Sequence, residues 1–77
     1  MTLEEATKKA FEKKYDRIFG YRIDGQFVNL NCVSENDTVF PARIIFGKDN
    51  TFHTDSPQEL DSVVDLANEI KKNLGLG

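Results

Sequence analysis

Apolar residues recur at helical spacing near both ends of the chain and at strand spacing between them, and that division predicts the architecture. Thr2 and Glu5 stand three apart ahead of an apolar series, the capping-box arrangement in which each side chain satisfies a free amide of the first turn. Leu3, Ala6, Thr7, Ala10, Phe11, Ile18 and Phe19 then fall on one stripe, with Tyr15 at its edge, until Gly20. The spacing predicts a helix from Thr2 to about Phe19, closed by Gly20. From Tyr21 the period becomes two, and Asp24-Gly25 predicts a type I′ hairpin with Ile23 opposite Gln26 and Tyr21 opposite Val28. Tyr21, Ile23, Val28, Leu30 and Cys32 then share one sheet face.

The polar run Ser34-Glu35-Asn36-Asp37 predicts a turn, and Thr38 to Phe46 a third strand, where Pro41 implies an edge position or a bulge. Gly47-Lys48-Asp49-Asn50 predicts another turn, and Thr51 to Thr54 a short fourth strand. Ser56-Pro57-Gln58-Glu59 repeats the capping box with proline at the first helical position. Leu60, Val63, Val64, Ala67, Ile70 and Leu74 form the stripe of the helix that follows, Gly75 ends it, and residues 75–77 are expected to fray. The predicted fold is α+β: a two-layer sandwich of helix, three- or four-stranded antiparallel meander and helix, both helices on one sheet face.

Length restricts this to one domain over residues 1–77. Hydrophobic residues make up 39% and charged residues 30%, a balance that supports a packed core and excludes a disordered chain. A chain of this size buries only about 60% of its unfolded surface, so help from a second copy is an expectation from the start. A lone Cys32, no apolar leader and no apolar run of membrane length point to a reducing, cytoplasmic setting.

Chemistry is sparse. Cys32 and His53 are the only nucleophile–base pair of their kind, but strand parity puts Cys32 on the core face and His53 on the opposite one. One histidine and one cysteine make no closed metal set, and the five glycines sit singly at turns, helix ends or the tail, so no phosphate-cradling loop forms. No catalytic residue, metal or cofactor is expected, and the chain reads as a non-enzymatic protein.

Charge is unevenly placed. Asp49, Asp55, Glu59, Asp61, Asp65 and Glu69 lie in a stretch without lysine or arginine, whereas ten bases meet seven acids in the rest of the chain. Carboxylates near a helix N-terminus are favoured by the macrodipole, which accounts for Asp55, Glu59 and Asp61. Asp61, Asp65 and Glu69 are spaced by four, so the helix stacks like charges along one side. The plain reading is a solvated acidic face; the functional one is a carboxylate ridge that imitates the phosphates of a nucleic acid and binds a basic protein. Helix one carries Lys8, Lys9, Lys13, Lys14 and Arg17 among four acids. The outer sheet face holds Arg22, Asn29, Asn31 and His53 with Phe27, Val33, Val39, Arg43 and Ile45, too apolar for pure solvent contact and therefore a candidate dimer or partner surface.

In layout, the helix, meander and helix resemble the double-stranded-RNA-binding domain, a family that implies lysines at the start of the second helix; this chain has Asp55, Glu59 and Asp61 there, which contradicts that route to RNA. In size, acidity and absence of catalytic residues the chain is similar to small phage-encoded host-takeover proteins, some of which act as DNA mimics. That resemblance implies an inhibitor whose acidic surface meets a basic DNA- or RNA-binding protein. Two alternatives stay open: a nucleic-acid-binding module using the bases of helix one and the outer sheet face, and a structural homodimer without mimicry.

Overall fold

The computed structural model describes residues 1–58 and 60–76. The order is α1 (Leu3–Ala10), β1 (Ile18–Asp24), β2 (Phe27–Val33), β3 (Val39–Phe46), a 3₁₀ turn at Lys48–Asn50, β4 (Phe52–Asp55) and α2 (Asp61–Gly75). The four strands form one antiparallel sheet in the order β1-β2-β3-β4, and the helices pack on a single face of it. The α+β sandwich expected from the pattern is the fold, with the fourth strand present.

The first capping box is built as expected: the Glu5 amide donates to Thr2 Oγ1 at 3.2 Å, and the Thr2 amide donates to Glu5 Oε1 at 3.1 Å. The amide bond holds the Glu5 carboxyl below its ordinary range. The helix, however, stops at Ala10 instead of running to Phe19. Phe11 turns inward, its ring 4.4 Å from that of Tyr21, and the chain crosses to the sheet through an irregular segment with Arg17 in the left-handed region. Ile18 and Phe19, which the apolar stripe assigns to the helix, begin β1, and Gly20 is a strand residue. The bulge between Ile18 and Gly20 is the physical reason for the difference: Ile18 pairs with Cys32 and Tyr21 with Leu30, so both face the core although three positions apart. That spacing imitates a helical stripe.

The hairpin also differs in detail. Its loop is Gly25-Gln26, with Asp24 opposite Phe27 and Ile23 opposite Val28. Only Gly25 of the two has positive φ, which fits a type II′ turn. The slip keeps strand parity, so Tyr21, Ile23, Val28, Leu30 and Cys32 share the core face as expected. Pro41 lies in an internal strand, but β4 pairs with β3 only from Arg43 to Phe46. At Pro41 one side of β3 is locally an edge, which is where a residue without an amide hydrogen fits.

The second capping box does not open a helix. Ser56 Oγ accepts from the Gln58 amide at 3.3 Å in a local turn, Glu59 lies outside the described residues, and α2 begins at Asp61 behind Leu60, which supplies no side-chain cap. The intervening residues carry the chain from the sheet to the helical layer. Gly75 is the last helical residue rather than the terminator, and Gly77 is outside the described residues. Val63, Leu66, Ala67, Ile70 and Asn73 face inward; Val64, placed on the stripe from sequence, is 44% exposed, and Leu66, left off it, is fully buried.

Candidate functional site: an acidic end and an open sheet face

A meander returns its turns alternately to two ends of the sheet. The segment before β1, the β2–β3 turn and the start of α2 therefore meet at one end, while the β1–β2 hairpin and the 3₁₀ turn meet at the other. At the first end Asp16, Arg17, Ser34, Glu35, Asn36, Gln58, Leu60, Asp61 and Ser62 line an open cleft of about 690 Å³. Three carboxylates from separate segments thus stand around one depression. Arg17 is the only cation in that lining, and it is engaged: its Nη1 donates to the Ser34 carbonyl at 2.7 Å, and its Nε lies 3.8 Å from Asp16. The turn is fixed by Ser34, whose hydroxyl donates to Asn36 Oδ1 and accepts from the Thr38 amide at 3.1 Å.

The six acids singled out from sequence do not form one ridge. Asp49 sits at the opposite end, in the left-handed region within the 3₁₀ turn. Asp55 is exposed at the end of β4, on the outer sheet face and in register with Arg43. Glu69 is neutralised within the chain: Lys13 Nζ donates to its Oε1 at 2.8 Å. That bond holds the Glu69 carboxyl below, and the Lys13 ammonium above, their ordinary ranges. Asp61 and Asp65 are exposed on α2, and neither makes an ion pair among the described residues. Glu59 lies outside the described residues. Beside this helix the half-buried Tyr15 phenol is pushed up by burial; Glu69 adds to the rise, Lys13 opposes it and Asp65 adds a little more.

Sequence reasoning missed Asp16 and Glu35. Neither belongs to a charge run, and only the meander's alternation of ends brings them to Asp61. The bases that the alternative reading places on helix one are also dispersed. Lys13, Lys14 and Arg17 lie beyond α1, Lys13 is paired with Glu69, and the Arg17 guanidinium is held on Ser34.

Parity is right for the other two groups. Cys32 is fully buried and its thiol is pushed up by desolvation, whereas His53 is exposed on the opposite face, so the two cannot act on one another. Among the described residues, no three of His, Cys, Asp and Glu are grouped to hold a metal ion, and no helix is long and apolar enough to cross a membrane.

Neither helix covers the outer face, because both occupy the inner one; among the described residues the segment after β4 reaches it at Pro57, which lines a hollow of about 180 Å³ with Asn29, Pro41, Arg43 and Asp55. Phe27 is 38% exposed and Val39 62%, with Val33 and Ile45 half-buried between them and the Arg43 guanidinium 5.4 Å above the Phe27 ring. Comparison with known proteins gave no match to a family model, to a curated protein or to a solved structure.

Proposed function

We propose that this chain is a non-enzymatic interaction protein whose acidic end binds a lysine- and arginine-bearing surface, as a small inhibitor that occupies the nucleic-acid site of a DNA- or RNA-binding protein. The observation that carries the reading is the exposure of Asp61 and Asp65, neither of them ion-paired among the described residues, beside a cleft that adds Glu35 and the Arg17-paired Asp16. Carboxylates left unneutralised attract a basic partner over roughly a Debye length, about 8 Å at physiological salt, and orient its approach. Relative to the sequence-based ridge, the contact surface moves toward the start of α2 and loses Glu69 to Lys13. Phosphate mimicry then rests on a cluster of carboxylates around a concave end.

The experiment is affinity capture across a salt series with the native chain and an Asp61→Lys, Asp65→Lys variant. A nucleic-acid-binding protein that is retained at low salt, released at high salt and lost with the variant supports the reading. Equal capture by both chains removes the start of α2 from the mechanism. Direct retention of oligonucleotides by the native chain favours the nucleic-acid-binding alternative instead.

A further inference from the structure

The outer face of the sheet can be written as rows of residues that stand side by side across the strands. One row runs Asp24, Phe27, Ile45, His53 from β1 to β4. The next runs Arg22, Asn29, Arg43, Asp55. Beyond these, Asn31 pairs with Pro41, and Val33 with Val39. All of these side chains are exposed or half-buried, and neither helix covers them.

Each row complements its own reversal. Consider a two-fold axis that runs along the strands between β2 and β3, in the plane where two such faces would meet. It keeps every row in place and reverses its order, so β1 lies over the partner's β4 and β2 over the partner's β3. Phe27 then meets the partner's Ile45, and Val33 meets the partner's Val39, apolar on apolar. Arg22 meets the partner's Asp55. Asp24 meets the partner's His53, whose ring N–H can donate to a carboxylate, and Asn29 presents an amide oxygen to the partner's Arg43.

No charge faces a like charge in this arrangement: the two central columns hold the apolar pairs together with the Asn29–Arg43 pair, and Arg22 and Asp24 meet complementary partners at the margins. Within one chain, Arg22 and Asp55 sit on strands separated by three sheet spacings, about 14 Å, too far to pair with each other. Arg22 can therefore meet Asp55 only between molecules, although Asp55 also stands in register with Arg43 of its own chain.

We propose that this face is the interface of a two-fold homodimer in which the two sheets stack face to face, with the pairing set by these rows. Stacked sheets keep their strands within about 30° of one another, so the pairs nearest the axis align best, and the long arginine side chains span the offset at the margin. The face measures about 20 Å by about 20 Å from strand number and length. That footprint, about 400 Å² on each copy, falls below the range of stable specific interfaces, so the dimer is a weak, transient one. The inference is independent of the acidic end, which lies outside the rows.

Sedimentation equilibrium over a concentration series tests it. The native chain is expected to pass from monomer to dimer, and Ile45→Asp to remain monomeric with an unchanged circular dichroism spectrum. Arg22→Asp and Asp55→Arg are each expected to weaken the dimer about tenfold, because symmetry places every substitution at the interface twice. Combining the two in one chain recreates the pair with reversed polarity and is expected to restore affinity to within a few fold of native. The Asp61→Lys, Asp65→Lys chain should dimerise like the native protein. A native chain that stays monomeric to millimolar concentration overturns the proposal, as does a double variant no better than its parents; either result leaves the face to solvent or to a different partner.

Discussion

The side-chain amide of Asn73 on α2 donates a 3.0 Å hydrogen bond to the main-chain carbonyl of Ala6 on α1, and both residues are buried. With eight residues, α1 is too short to be stable alone in water, so its helicity depends on docking. Ala6, Ala10 and Ala67, small and buried in the shared core cluster, suit a close approach of the two helices. Replacing Asn73 with alanine removes the donor and leaves a cavity. The expected loss is about 1–3 kcal/mol of unfolding free energy, read as a lower denaturant midpoint, with α1 amides exchanging faster than those of β2 and β3.

Leu66 and Val64 make a sharper comparison, since they stand two apart on α2 with opposite environments. Leu66 is fully buried between the helices and the sheet, while Val64 faces largely outward. Leu66→Ala is expected to cost about 2–5 kcal/mol through lost burial and a residual cavity, enough to shift a chain this small toward unfolding. Val64→Ala should change stability by about 0.5 kcal/mol or less. Thermal melts of the two variants side by side check the assignment.

That contrast also marks how far the pattern of residues could be read. Strand parity is robust because side chains alternate without exception inside a regular ladder. The core and outer faces of β2, β3 and β4 were therefore legible down to Cys32 and His53, even though the first hairpin's register had slipped. Helix ends were less legible, because they are decided by tertiary demands. The bulge at Phe19 put Ile18 and Tyr21 on one face at a helical interval, and the crossing from β4 to the helical layer absorbed a capping-box sequence that α2 did not use. The acidic end was the least legible part. Asp16, Glu35 and Asp61 are brought together only by the returning turns of the meander, and Glu69 is removed from the surface charge by Lys13, 56 positions away.

The Lys13–Glu69 bond should leave a signature in the pH dependence of stability. Glu69 titrates below its unfolded value, so its contribution is present above that value and is lost as pH falls through the folded one. Lys13 titrates above its unfolded value, so its contribution is complete below that value and is lost as pH rises through the folded one. The pair thus acts between the two ranges. The stability difference between native protein and Glu69→Gln is expected to be widest near neutral pH and to vanish in acid once Glu69 is protonated. It should also shrink in high salt, since Lys13 is exposed. A difference that is flat across acid and neutral pH would show that the charge on Glu69 contributes nothing.

Cys32 offers a direct probe of the core, because its thiol is fully buried in β2 and desolvation pushes its titration upward. A thiol reagent requires both access and the thiolate, and the folded chain withholds each. Alkylation under native conditions is therefore expected to proceed only through opening, at a rate far below that of the denatured chain. The same shift makes stability decline as pH rises: below the unfolded thiol's range the contribution is intact, and it is lost through the folded value because the unfolded chain ionises first. Leu66→Ala supplies the check, since a variant that raises the open population should raise the alkylation rate in the same proportion. Rapid modification of the native chain, unchanged by Leu66→Ala, would mean that β2 opens locally and that the sheet is not the stable half of the fold.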